Sequence, residues 1–159
     1  MKRFLCLLST TLSCVALLGC GEDEFPTAPV TGQILCEGKP VPFAMIYFEP
    51  TTTGEEIIVG KPGFDVADAE GRFELSTYTE FGGDGAVIGE HRVRVDAPAP
   101  GRNPDGWSCP CMLDSNRDVK IVMVIDGDNE FTIELPKRKP GQQPFVPGED
   151  EDEQEDEDE

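Results

Sequence analysis

Three cysteines carry most of the chemistry this chain can offer. Cys36 closes an alternating apolar stretch. Cys109 and Cys111 flank Pro110 in the run Gly106-Trp107-Ser108-Cys109-Pro110-Cys111. In an oxidising compartment thiols pair, so the expectation is one structural disulfide, Cys36 with Cys109 or with Cys111, and one thiol left over. A Cys109–Cys111 bridge is disfavoured, because Pro110 favours an extended backbone and so short a ring strains the disulfide dihedrals. The rival use of the same thiols is a soft-metal site for Cu(I) or Zn²⁺, for which C-x-C without a second pair is a weak signal. Redox exchange by Cys109-Pro110-Cys111 is weaker still, since no thioredoxin-like βαβ pattern surrounds it. The leftover thiol could also bridge to another molecule. The expectation is therefore a staple, with no bound metal and no cofactor.

The remaining chemistry is sparse. His91 is the only histidine, and it falls in phase with Val93 and Val95, which places it as a packed residue at a sandwich edge. A nucleophile elbow of the form G-x-S-x-G is absent. Asp126-Gly127-Asp128-Asn129-Glu130 invites a calcium reading, but its glycine is misplaced for an EF-hand loop and no helical pattern flanks it, so it reads as a turn. No catalytic residue is expected. Trp107, the single tryptophan, lies in a Pro/Gly-rich loop, where it could anchor a partner or cap the core.

Cys20 carries chemistry of another kind. Met1-Lys2-Arg3 is a basic start, Phe4 to Leu18 is mostly apolar, and Leu17-Leu18-Gly19-Cys20 follows. This order resembles a bacterial lipobox, in which cleavage before the cysteine leaves it to carry lipid. About fifteen apolar residues suit a signal segment and fall short of the roughly 20 that span a bilayer. The expectation is a signal peptide over 1–19, lipid on Cys20, and attachment to a bacterial membrane outside the cytoplasm; two or more acyl chains hold firmly. Gly21, in place of an aspartate, leans toward the outer membrane. Cys6 and Cys14 belong to the leader.

Charge narrows the partners. The chain has 159 residues and a formal net charge of −19, and the leader would take two basic residues with it. Nucleic acid is excluded as a partner by like charge. Every residue from Glu149 to Glu159 is acidic except Gln154; such a tail repels itself and is expected to be disordered. It offers at most weak divalent-cation binding through oxygen ligands. An envelope protein or cell-wall component is the partner class left, beside the membrane itself.

These residues need elements to position them. Residues 20–29 read as a tether and 136–148 as a Pro/Gly linker before the acidic tail at 149–159. Between them, 30–135 reads as all-β. Val30, Gly32, Ile34 and Cys36 share one face; so do Ala44, Ile46 and Phe48; Phe73 and Leu75 oppose Arg72 and Glu74; Val93 and Val95 oppose Arg92 and Arg94; Phe131, Ile133 and Leu135 oppose Thr132 and Glu134. Lys120 to Ile125 is almost continuously apolar, which predicts a strand covered on both sides. Turns are expected at Glu37-Gly38, at Asp68 to Gly71, and at Asp126 to Asn129, the last joining two strands as a hairpin. About seven short antiparallel strands make one β-sandwich.

Five motifs in order add a resemblance. Gly32-Gln33-Ile34-Leu35-Cys36-Glu37-Gly38-Lys39-Pro40-Val41, Ala44 to Pro50, Asp68-Ala69-Glu70-Gly71-Arg72-Phe73-Glu74-Leu75, Gly83 to Val95 and Asn129 to Leu135 resemble carboxypeptidase-regulatory-like domains. Small lipoproteins of planctomycete type carry one such transthyretin-like sandwich. The resemblance implies a single prealbumin-like fold and extracytoplasmic attachment, and it implies no catalytic residues, because the shared motifs are structural. A transthyretin-like hydrolase or a carboxypeptidase zinc centre would need more than one histidine. His91 stands where the family usually has an aromatic residue, Ile88 replaces a usual proline, and the loop from Ala97 to Asp118 departs from the pattern.

Overall fold

Period-two alternation becomes strands almost wherever it occurs. In the computed structural model, residues 25–52, 59–79, 83–99, 101–103, 106–111, 113 and 118–146 are described. They form ten strands: β1 (Thr27–Ala28), β2 (Val30–Cys36), β3 (Lys39–Pro40), β4 (Met45–Pro50), β5 (Gly63–Val66), β6 (Arg72–Glu74), β7 (Ala86–Val87), β8 (Gly89–Asp96), β9 (Asp118–Val124) and β10 (Asn129–Glu134). Among the described residues there is no helix. The fold is all-β and sandwich-like. The leader, Cys20 and the acidic tail lie outside the described residues.

The expected count of about seven antiparallel strands needs correcting. Three sheets are present, and one of their pairings is parallel. One sheet runs β5-β4-β8-β9 and is antiparallel throughout. A second is built on β2, which pairs with β10 along one edge and with β6 and then β3 along the other. The third is the two-stranded pair β1-β7. The additional strands β1, β3 and β7 are two residues long, too short for alternation to mark them.

The two larger sheets meet through their apolar faces. Ile34, Ile46, Phe48, Leu75, Val93 and Ile133 are fully buried. Phe48 on β4 bridges the layers, its ring lying 6.1 Å from Phe73 on β6 and 5.5 Å from Phe131 on β10. Gly32 lets this stack close: a Cβ there would stand 2.1 Å from the Phe131 carbonyl oxygen and 2.5 Å from Phe73. His91 packs as its phase with Val93 and Val95 suggests, but within the core rather than at an edge. It is wholly buried, 5.9 Å from the Phe48 ring, with Nε2 2.6 Å from the Val87 carbonyl oxygen.

Two turns position the site. Glu37 and Gly38 both have positive φ, 52° and 73°, the two-residue reversal that matches strand twist, and it pairs Cys36 with Lys39. The turn after β9 is not the hairpin the sequence suggests. β9 pairs with β8 and β10 with β2, so Asp126 to Asn129 arches from one sheet to the other. Asn129 locks the arch. Its side-chain oxygen accepts from the Ile125 N–H at 3.0 Å, and its amide nitrogen lies 2.8–3.2 Å from the carbonyl oxygens of Gly127, Ile125 and Pro29. Nor is β9 covered on both faces. Val122 and Val124 are buried, whereas Ile121, Met123 and Ile125 are 54–60% exposed, because alternate residues face outward and that face of the sheet is left open there.

Candidate functional site

The cysteines converge at one end of β2. Cys36 is its last residue and points inward with Val30 and Ile34. Across from it, Cys109 and Cys111 flank a bend at Pro110 and are held by isolated bridges from Cys109 to Phe145 and from Cys111 to Lys137. The bend turns the sulfur atoms of both Cys109 and Cys111 toward Cys36. The stretch expected to be a linker supplies the bridging partners. Cys109 and Phe145 exchange both backbone hydrogen bonds, at 2.9 and 3.0 Å, and Arg138 donates from Nε to the Cys111 carbonyl oxygen at 3.1 Å.

Cys36 and Cys111 form a disulfide across 75 positions, with their Cα atoms 5.8 Å apart. Cys109 is the leftover thiol, and it is buried. The three Sγ atoms lie within 4.8 Å of one another. Burial pushes the Cys109 thiol above its ordinary pKa; the Cys111 backbone N–H and the Arg138 charge pull it down without cancelling that effect. Burial thus favours the neutral thiol over the thiolate, the form that reacts.

A cleft of about 180 Å³ leads to the cluster, with Cys36 and Cys109 in its lining and Trp107, Ser108 and Lys39 among the walls. Trp107 is half-buried against the core, edge-on to Phe145 with ring centroids 6.4 Å apart. At the rim, Lys137 and Glu37 pair at 2.6 Å. The side-chain hydrogen bond and charge of Lys137 lower the Glu37 pKa, and the same contact raises that of Lys137.

Other polar groups have structural work. A larger groove of about 610 Å³ includes Asp65, Asp68, Arg72 and Glu130 in its lining. Size alone does not make it the site. Asp65 accepts from the backbone N–H groups of Val66 and Glu74, and Asp68 from those of Glu70 and Arg72. On the outer face of the sheet Arg94 sits 4.0 Å from the Tyr47 ring centroid and binds Glu49 and Asp96 at 3.1 and 2.5 Å. Burial there raises the Asp96 pKa in spite of Arg94.

The sequence named all three cysteines and limited the bridge to two pairings. It carried no sign of the contributions of Lys137, Arg138 and Phe145, which lie in a stretch without alternation.

No protein-family model and no curated protein matches the chain. Among solved structures, a DUF3823 family protein from Parabacteroides merdae is similar at 16% identity and a TM-score of 0.41, over 72% of this chain and 48% of that one. A 9R-lipoxygenase from Cyanothece is similar at 19% identity and a TM-score of 0.41, over 79% of this chain and 20% of that one. The chain thus spans less than half the length of either.

Proposed function

We propose that this chain is a lipid-anchored extracytoplasmic protein whose β-sandwich is a non-catalytic module for display or recognition at the bacterial cell envelope. In this reading the sandwich is prealbumin-like, lipid on Cys20 ties it to a membrane, and the stapled loop carrying Trp107 is the surface offered to an envelope protein or cell-wall component. The observation that carries it is the Cys36–Cys111 disulfide. Such bridges form and persist in oxidising compartments, in agreement with the lipobox-like run ending at Cys20. The engagement of Asp65, Asp68 and Asp84 in backbone hydrogen bonds supports the non-catalytic part, since a catalytic acid or base needs reach to a substrate proton.

The test is intact mass of membrane-extracted protein before and after reduction and alkylation. A chain starting at Cys20 with acyl mass, gaining two labels at Cys36 and Cys111 only after reduction, is the expected result. A lipid-free chain with another start removes the anchor, and free alkylation of all three core cysteines without reduction removes the staple.

A further inference from the structure

We propose that the Cys36–Cys111 disulfide, once reduced, opens with Cys109 into a three-thiolate site for monovalent copper, so that the staple and the metal site are two redox states of one cluster. Three sulfur atoms already lie within 4.8 Å of one another, and among the described residues no histidine or carboxylate belongs to the group. That donor set selects the ion. Soft thiolates suit both Cu(I) and Zn²⁺, but Zn²⁺ takes four ligands in closed protein sites, one more than the cluster offers. A purely structural bridge has no use for a third thiol, yet Cys109 is held beside it by both backbone bonds to Phe145. Access is also present, because the cleft beside Trp107 reaches Cys36 and Cys109. The excess negative charge of three thiolates around one monovalent ion falls beside Arg138, which is bonded to the Cys111 carbonyl, and near Lys39 of the cleft wall.

The chemistry balances with a dithiol as reductant. Two electrons and two protons pass from the dithiol to the Cys36–Cys111 bond, that sulfur–sulfur bond breaks, and the dithiol closes to its own disulfide. The three thiols then release three protons as three S–Cu bonds form, and copper remains monovalent.

The test uses the full chain with Cys6→Ser, Cys14→Ser and Cys20→Ser, so that no leader thiol competes. The protein is reduced, freed of dithiol under nitrogen and titrated with the Cu(I)–bicinchoninate complex. The reduced chain is expected to draw one Cu(I) from the complex with a change in Trp107 fluorescence, which reads the cleft directly because no other tryptophan exists. The oxidised chain is expected to draw none. Cys109→Ala keeps the disulfide, and after reduction it is expected to bind Cu(I) more weakly by over the roughly 10–100-fold that loss of an outer-shell partner costs a metal site. Three results overturn the proposal: no Cu(I) uptake by the reduced chain, equal uptake by Cys109→Ala, or displacement of Cu(I) by equimolar Zn²⁺. Should reduction abolish the near-UV dichroism, Cu(I) is expected to restore it, and failure to do so counts equally against the site.

Discussion

Two irregular stretches of this sandwich are fixed by opposite means. The segment at 109–111 is bonded covalently to β2 through Cys36–Cys111. Residues 76–79 are held by one carboxylate: Asp84 accepts from the backbone N–H groups of Thr77 and Tyr78 at 2.9 and 2.6 Å and from the hydroxyls of Ser76 and Thr79 at 3.0 and 3.2 Å. Burial works to raise the Asp84 pKa, and these four donors outweigh it and leave the value below the ordinary one. The covalent clamp answers to reductant and is indifferent to mild acid; the carboxylate clamp does the reverse.

Breaking the covalent clamp has the largest expected effect. Closing a loop of 75 residues restricts the unfolded chain by about 4 kcal/mol in the chain-entropy account. Cys36→Ala with Cys111→Ala is expected to lower stability by most of that, measured as a shift of the urea midpoint at constant slope. Asn129→Ala comes next. It strands the Ile125 N–H and takes the amide from three carbonyl oxygens at the arch, so a loss of about 2 kcal/mol is expected in the same assay.

Asp84→Asn sharpens the contrast through pH. The folded pKa is depressed, so the unfolded chain binds the proton more readily. Asp84 therefore adds stability that is whole above the ordinary aspartate range and fades as pH falls through the lowered folded value. The variant is expected to be less stable at pH 7 and to show a flatter acid limb in thermal melts taken across that range. An acid limb of unchanged slope would place the pH sensitivity elsewhere. The smallest effect is expected at the rim of the cleft, where Lys137 and Glu37 are 75% and 44% exposed. Pairs so hydrated contribute little, and Glu37→Gln is expected to leave the melting midpoint unchanged within error.

The strands and the two clamped stretches together show how far the sequence could be read. Alternation in 30–36 and 44–48 announced which residues face inward, and Ile34, Ala44, Ile46 and Phe48 are indeed fully buried. Alternation says nothing about neighbours. Phe131, Ile133 and Leu135 fit a closing strand equally well beside β9 or beside β2, and only the Asn129 arch sends them to β2 in parallel. The apolar run 120–125 misled for a related reason: burial on both sides depends on what covers the strand, and β9 has an open face. The choice between Cys109 and Cys111 was also beyond local pattern, since the bend at Pro110 brings both sulfur atoms within reach of Cys36. Asp84 lies in the Gly83 to Val95 motif, which carried only a family resemblance, and its four donors come from residues five to eight positions earlier.

The bridge between Cys36 and Cys111 also divides the molecule mechanically. Strands β3 to β8 lie inside the covalent ring it closes, while β1, most of β2, β9 and β10 lie outside. Tension applied between the two ends of the chain crosses from Cys36 to Cys111 through the sulfur atoms and never loads the strands within. The ring withholds about 250 Å of contour length, its 75 positions at an extended reach of some 3.3–3.6 Å each. A stretched oxidised molecule can yield only its outer strands, and the withheld length becomes available once the disulfide is reduced.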